Sequence, residues 1–169
     1  MNARHFRTFA RYNAWANARL YAACGALSEA AYLAERPVFF GSIHRTLNHV
    51  LVGDRLWLGR ITGVPAGIPT LDTELFPDRD ALRAAREAED ARIIGLVDGY
   101  DDARLLAAEV VYANMSGAEH RDPLRLVLAH FFNHQTHHRG QVHDMLSATD
   151  VAPPPLDLIY YLREVGEAD

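Results

Sequence analysis

Apolar residues recur at helical spacing along four long stretches of this chain, and Pro and Gly punctuate the segments between them. The first stretch runs from about Ala3 to Cys24. It places Phe6, Phe9, Ala16, Leu20 and Cys24 on one side, with Asn13 on the same stripe and Gly25 marking the end. Ser28 can cap a short turn through Leu33, which Pro37 stops. Gly41 and Ser42 introduce the second stretch, SIHRTLNHVLVGDRLWLGRIT, where Ile43, Leu47, Val50, Leu51, Trp57, Leu58 and Ile61 form a wide apolar arc. Asp54 falls inside that arc, which a carboxylate occupies only when paired or hydrogen-bonded.

The segment from Gly63 to about Asp78 exceeds the roughly 2–8 residues that usually join neighbouring helices. It is long enough to cross the molecule and leave the second and third helices parallel. The third stretch, from about Arg79 to Val97, sets Leu82, Ala85, Ile93, Ile94 and Val97 against a strongly charged face, read as solvated. Between Ala108 and Asp122 the run EVVY, the turn-like NMSG and AEHRD predict a short hairpin. The last long stretch spans Asp122 to Ala148. Asp122 is placed to accept from free backbone N–H groups, with Pro123 at the first helical position. Pro153, Pro154 and Pro155 then lead to a short helix around Leu156–Glu164. Four long amphipathic helices predict an all-α protein, a four-helix bundle in a single domain over residues 1–169, with a short hairpin before the last long helix.

Composition narrows the function classes. A content of 49% hydrophobic and 23% charged residues is ordinary for a globular domain. The net charge of −5 argues against a nucleic-acid binder, which would carry a basic face. No apolar run approaches the roughly 18 residues of a membrane span, and the N-terminal arginines Arg4, Arg7 and Arg11 do not precede an apolar signal region. Cys24 is the single cysteine, so neither an intramolecular disulfide nor a multi-thiolate zinc site can form. The expectation is a soluble cytoplasmic protein.

The chemistry lies on the last long helix. Val127, Phe131, Val142 and Met145 define its narrow apolar stripe, and His134 and His138 fall inside it. His143 points away, while His130 and His137 lie on the flank. Side chains four apart on a helix have Cβ atoms about 5–6 Å apart, so both imidazoles can reach one metal ion. Buried histidines also serve as hydrogen-bonding groups alone, and Gln135 in place of Glu removes the metalloprotease motif HExxH. A third ligand has to come from the second helix, which offers His44 and His49. On the wheel His44 borders the apolar arc; His49 lies on a side shared with Gly53 and Leu56, where Gly53 would permit close approach. The pattern slightly favours His44 and leaves the choice open.

Four segments resemble the DinB/YfiT-like family: YNAWANARL at 12–20, GSIHRTLNHVLVGDRLWL at 41–58, FNHQTHHRGQVHDML at 132–146 and PPPLDLIYYLREVG at 153–166. The resemblance implies an up-down-down-up four-helix bundle, a homodimer, and a divalent metal held by one second-helix histidine and the HxxxH pair. The family's second-helix histidine precedes an acidic residue by five positions and an aromatic by eight. His49, Asp54 and Trp57 reproduce that spacing, so the resemblance selects His49, His134 and His138. Relatives include transferases and an isomerase that use a low-molecular-weight thiol, and many members have no assigned activity.

A tri-histidine site leaves a coordination position open, as catalytic zinc sites do. It would lower the pKa of a bound water or thiol. Imidazole ligands suit zinc, nickel and iron alike, so the sequence names neither metal nor substrate, and no catalytic residue beyond the ligands. Gln141 is placed to fix an imidazole tautomer or orient a ligand, and Val127, Phe131 and Val142 to wall the site from water. Asp54 is placed to support a ligand or to pair with an arginine, and Arg139 to face outward. The leading expectation is a metal-dependent thiol transferase or hydrolase acting on a small molecule. The alternatives are a non-catalytic metal-binding or sensor protein and a metal-free helical interaction module.

Overall fold

The computed structural model describes residues 1–167. Among them the elements are α1 (Ala3–Gly25), α2 (Glu29–Leu33), α3 (Ile43–Thr62), α4 (Arg79–Asp98), α5 (Asp102–Ala107), β1 (Glu109–Ala113), β2 (Glu119–Pro123), α6 (Leu124–Ser147) and α7 (Leu158–Glu164). The protein is thus mostly helical with one small antiparallel sheet. No helix among the described residues is long and apolar enough to cross a membrane.

Local chemistry sets the long helices' ends. Asn2, Ser42 and Asp78 accept hydrogen bonds from the backbone N–H groups of His5, Arg45 and Ala81, which would otherwise lack partners at α1, α3 and α4. Gly63 ends α3 in the left-handed conformation (φ 74°), which L side chains rarely adopt. The start of α6 departs from expectation. Asp122 and Pro123 belong to β2, where they pair with Val110 and Glu109, and the Asp122 carboxylate accepts from the Tyr112 hydroxyl (3.0 Å) instead of capping the helix. Strand pairing claims the residues that the capping rule assigns to the helix. The hairpin occupies its expected place, and α5 had no counterpart in the sequence reading.

The long helices pack as α1 on α4 and α6, and α3 on α4 and α6. Side-chain pairings give their directions. Arg11 meets Asp98 and Asn17 meets Asp90, so α1 and α4 are antiparallel. Asp54 meets Arg86 and Arg55 meets Glu89, so α3 and α4 are parallel, joined by the crossing segment 63–78. His49 faces His138 and Trp57 faces His130, so α3 and α6 are antiparallel.

The core is divided along the helix axes. Phe6, Ala10, Leu58, Ile93, Val97, Phe131 and Phe132 fill one end; Leu20, Leu47, Leu51, Leu82, Val142 and Leu146 fill the other. Between them lies a buried polar layer of Asn13, Asn17, Asp54, Arg86, Asp90, Gln135 and Arg139. Arg86, only 1% exposed, bonds to Asp54 and sits 3.0 Å from Asp90, while Gln135 donates to Asp54. Arg139 donates to Asn13 and Asn17, and both asparagines donate to Asp90. Two sequence expectations fail here. The charged face of α4 is not all solvated, because Arg86, Glu89 and Asp90 are buried against α1 and α3. Arg139 does not face outward, because α6 contacts two helices and so buries two faces. A single-stripe wheel registers only one of them.

Candidate metal centre

His49 on α3 and His134 and His138 on α6 converge, with one ring nitrogen of each lying within 4.8 Å of the others. The Nε2 of His138 is 3.1 Å from that of His134 and 3.2 Å from that of His49. Nitrogens about 2.0–2.1 Å from a tetrahedral ion lie about 3.3 Å apart, so these separations suit one shared ion.

The outer nitrogens define the tautomers. The Nδ1 of His49 is 2.8 Å from the carbonyl oxygen of Leu71, and the Nδ1 of His138 is 2.8 Å from Gln141 Oε1. Both partners only accept, so each Nδ1 carries the proton and each Nε2 presents a lone pair to the cluster. Burial holds the ring of His49 below the usual histidine range. Burial, reinforced for His134 by His138 and opposed for His138 by Gln141, lowers His134 to about 3 and His138 to about 4. Two lone pairs facing each other at 3.2 Å repel unless a cation lies between them. The donor set therefore fits a divalent ion. Gln141 thus has the tautomer-fixing position expected of it.

Three structural features hold the cluster. The crossing segment 63–78 supplies the Leu71 carbonyl to His49. Phe40 stacks on the His49 ring (centroids 3.9 Å apart) and meets His138 edge-on. Gly53, one turn after His49, faces His134, where an added Cβ would lie 2.7 Å from the ring carbon Cε1. A Gly53→Ala variant is expected to displace the His134 ring and weaken metal binding about ten-fold, comparable to loss of a group supporting a ligand. The check is metal titration alongside circular dichroism, which should show helix content unchanged.

His44 takes no part in the cluster. Its ring is buried between Tyr32 (3.1 Å) and Glu74 (2.8 Å), and neighbouring Asn48 clamps the backbone of Phe76 from both sides. The apolar-arc position of His44 thus reflects its fastening of the crossing segment to α3. His143 bonds to the Pro154 carbonyl, and His137 meets Gln141 at the surface. Asp54 is turned toward Arg86 and Gln135 and touches no histidine of the cluster.

A cavity of about 460 Å³ opens against the cluster, lined by His49, Gly53, Leu56, Trp57, Arg60, Leu71, Met115 and His134 among others. Its apolar wall differs from the expected one. Phe131 and Val142 are buried in the core, and Val127 borders a neighbouring recess, so α3, the crossing segment and the hairpin tip form the wall instead. The sequence reading overlooked Arg60 and Met115. Arg60 had a legible signal, since it falls on the same side of α3 as His49, Gly53 and Trp57.

The family model described as DinB family matches residues 1–167. The chain is similar to Protein DinB of Bacillus subtilis (strain 168), 26% identical over 155 residues covering 89% of this chain and 90% of that protein. No solved structure matches the chain. Matched by that family's model along nearly its whole length, the chain belongs to the DinB family.

Proposed function

We propose that this protein is a metal-dependent enzyme of the thiol-transfer or hydrolytic kind, holding one divalent ion through Nε2 of His49, His134 and His138. The fold we assign it is a single-domain four-helix bundle in up-down-down-up order, which the directions of the helix pairings support. The observation that carries the metal reading is the convergence of three Nε2 atoms, with the tautomers of His49 and His138 fixed by the Leu71 carbonyl and Gln141. Zinc, nickel and iron all suit such ligands. A bound ion supplies Lewis acidity and lowers the pKa of a bound water or thiol.

The chain's own contribution is position and enclosure. Three neutral ligands leave the ion's charge uncancelled, and the open side of the cluster faces the cavity. Leu56, Trp57, Leu71 and Met115 provide apolar surface for a small substrate there. Cys24 is buried and its thiol is pushed up to about 12 by burial, so a reactive sulfur would arrive with a low-molecular-weight thiol. A cytoplasmic homodimer completes the reading, on the family resemblance.

The test gives metal-loaded protein a panel of small thiols with a generic electrophile, and separately ester and amide substrates. Turnover in wild type, lost in His138→Ala, is the expected result. Equal rates in the two proteins on both panels would leave a non-catalytic metal-binding protein. Protein purified without an affinity tag and free of metal, and taking none up, would leave an interaction module.

A further inference from the structure

The cavity beside the histidine cluster holds a cation that no acidic group among the described residues neutralises. Arg60 lies in the corner between two aromatic rings, its guanidinium carbon 4.5 Å from the centre of Trp57 and 4.8 Å from that of Tyr112. Those rings meet edge-on at 5.2 Å, so the guanidinium is held over both faces while its N–H edge is left to other partners. Among the described residues no carboxylate pairs with Arg60, whereas Arg55 on the same helix is held by Glu89 at 3.1 Å. Arg60 is half-buried and lines the same cavity as His49 and His134.

We infer that Arg60 is the specificity residue of this cavity and that it binds the carboxylate of an elongated ligand whose other end reaches the histidine cluster. This rests on the metal reading for the ligand's head but not for its tail. Three observations set the class. One guanidinium matches a single negative charge, and its planar fork pairs bidentately with a carboxylate. Arg60 stands near the C-terminal end of α3, where the helix dipole opposes any anion and a singly charged one least, so the guanidinium has to supply the attraction. Residues 49 and 60 are about 16 Å apart along the helix axis, and side chains lean toward the helix N-terminus, so the guanidinium reaches back toward the cluster. The ligand must span the remaining gap along an apolar floor of Leu56 and Trp57.

Two arms test this. In the first, cobalt(II)-loaded protein is titrated with 8-mercaptooctanoate and with 8-mercaptooctan-1-ol, followed by the sulfur-to-cobalt absorption band. The acid should bind about ten-fold tighter than the alcohol in wild type, keep part of that advantage in Arg60→Lys, and lose it in Arg60→Gln, with the alcohol's affinity unchanged. In the second, metal-free protein carrying Trp15→Phe is titrated with octanoate, octanol and octyl phosphate, followed by the fluorescence of Trp57. Octanoate should bind best, and Arg60→Gln should erase its lead. A failure to bind cobalt overturns the metal reading and leaves the second arm to decide Arg60. Acid and alcohol binding alike, an acid advantage that survives Arg60→Gln, or tighter binding of octyl phosphate overturns the assignment of Arg60 to a carboxylate.

Discussion

Replacing His49, His134 or His138 with Ala is expected to lower metal affinity by more than about 100-fold, beyond the 10- to 100-fold effect of removing a group that merely supports a ligand. His44→Ala and His143→Ala should keep the metal, because one ring binds Tyr32 and Glu74 and the other the Pro154 carbonyl. Metal analysis of dialysed protein decides it, and loss of metal in His44→Ala with retention in His49→Ala would reverse the ligand assignment. The pH profile follows from the same geometry. A ligand must be neutral to bind, and burial places His134 at about 3 and His138 at about 4. His134 and His138 are then already deprotonated at pH 5–7, burial shifts His49 the same way, and bound metal should be retained until the pH falls toward about 4. The metal-free protein behaves differently. Its unfolded chain takes up protons at these histidines near pH 6.5 and its folded state does not, so its stability should already decline below about pH 6.5. Metal release complete by pH 6 would contradict the depressed values.

Asp54→Ala should destabilise the fold by about 3–5 kcal/mol, the usual cost of breaking a buried ion pair from one side. The change removes the acceptor of both Arg86 and Gln135 in a layer where Arg86 is 1% exposed. A guanidinium does not give up its proton in a protein, and Asp90 remains beside Arg86, so the stranded group stays charged. Urea unfolding measures the loss. The double variant Asp54→Leu with Arg86→Met should lose less than Asp54→Ala, because no unpaired charge remains. A loss under about 1 kcal/mol for Asp54→Ala would mean that water or Asp90 compensates fully.

Much of the molecule was legible in its sequence because its helices carry local signals. Ser42 caps α3 within one turn of itself, and the apolar stripes of α1, α3 and α6 bury where their period directs. The HxxxH pair was legible for the same reason: four residues on one helix fix a distance whatever the rest of the chain does. Gly53 beside His49 was a second local clue, and His134 occupies the space it leaves.

What tertiary structure decided is which side of each helix meets which neighbour. A wheel gives α3 one inward face, so it ranked His44 above His49. In the folded protein α3 is also covered by the segment 63–78, and that segment takes His44 through Glu74 while orienting His49 through Leu71. Likewise Arg139 and the charges of α4 were read as exposed because burial of a charge depends on a partner from another helix. Asp54 meets Arg86 and Gln135, and Asn13 meets Arg139 and Asp90, across gaps in sequence that no periodicity spans. Periodicity determined the long helices and the HxxxH pair, and the family resemblance pointed to His49; the approach of His49 to that pair, the polar layer and the position of Arg60 in the cavity arose only where separate helices and the crossing segment came together.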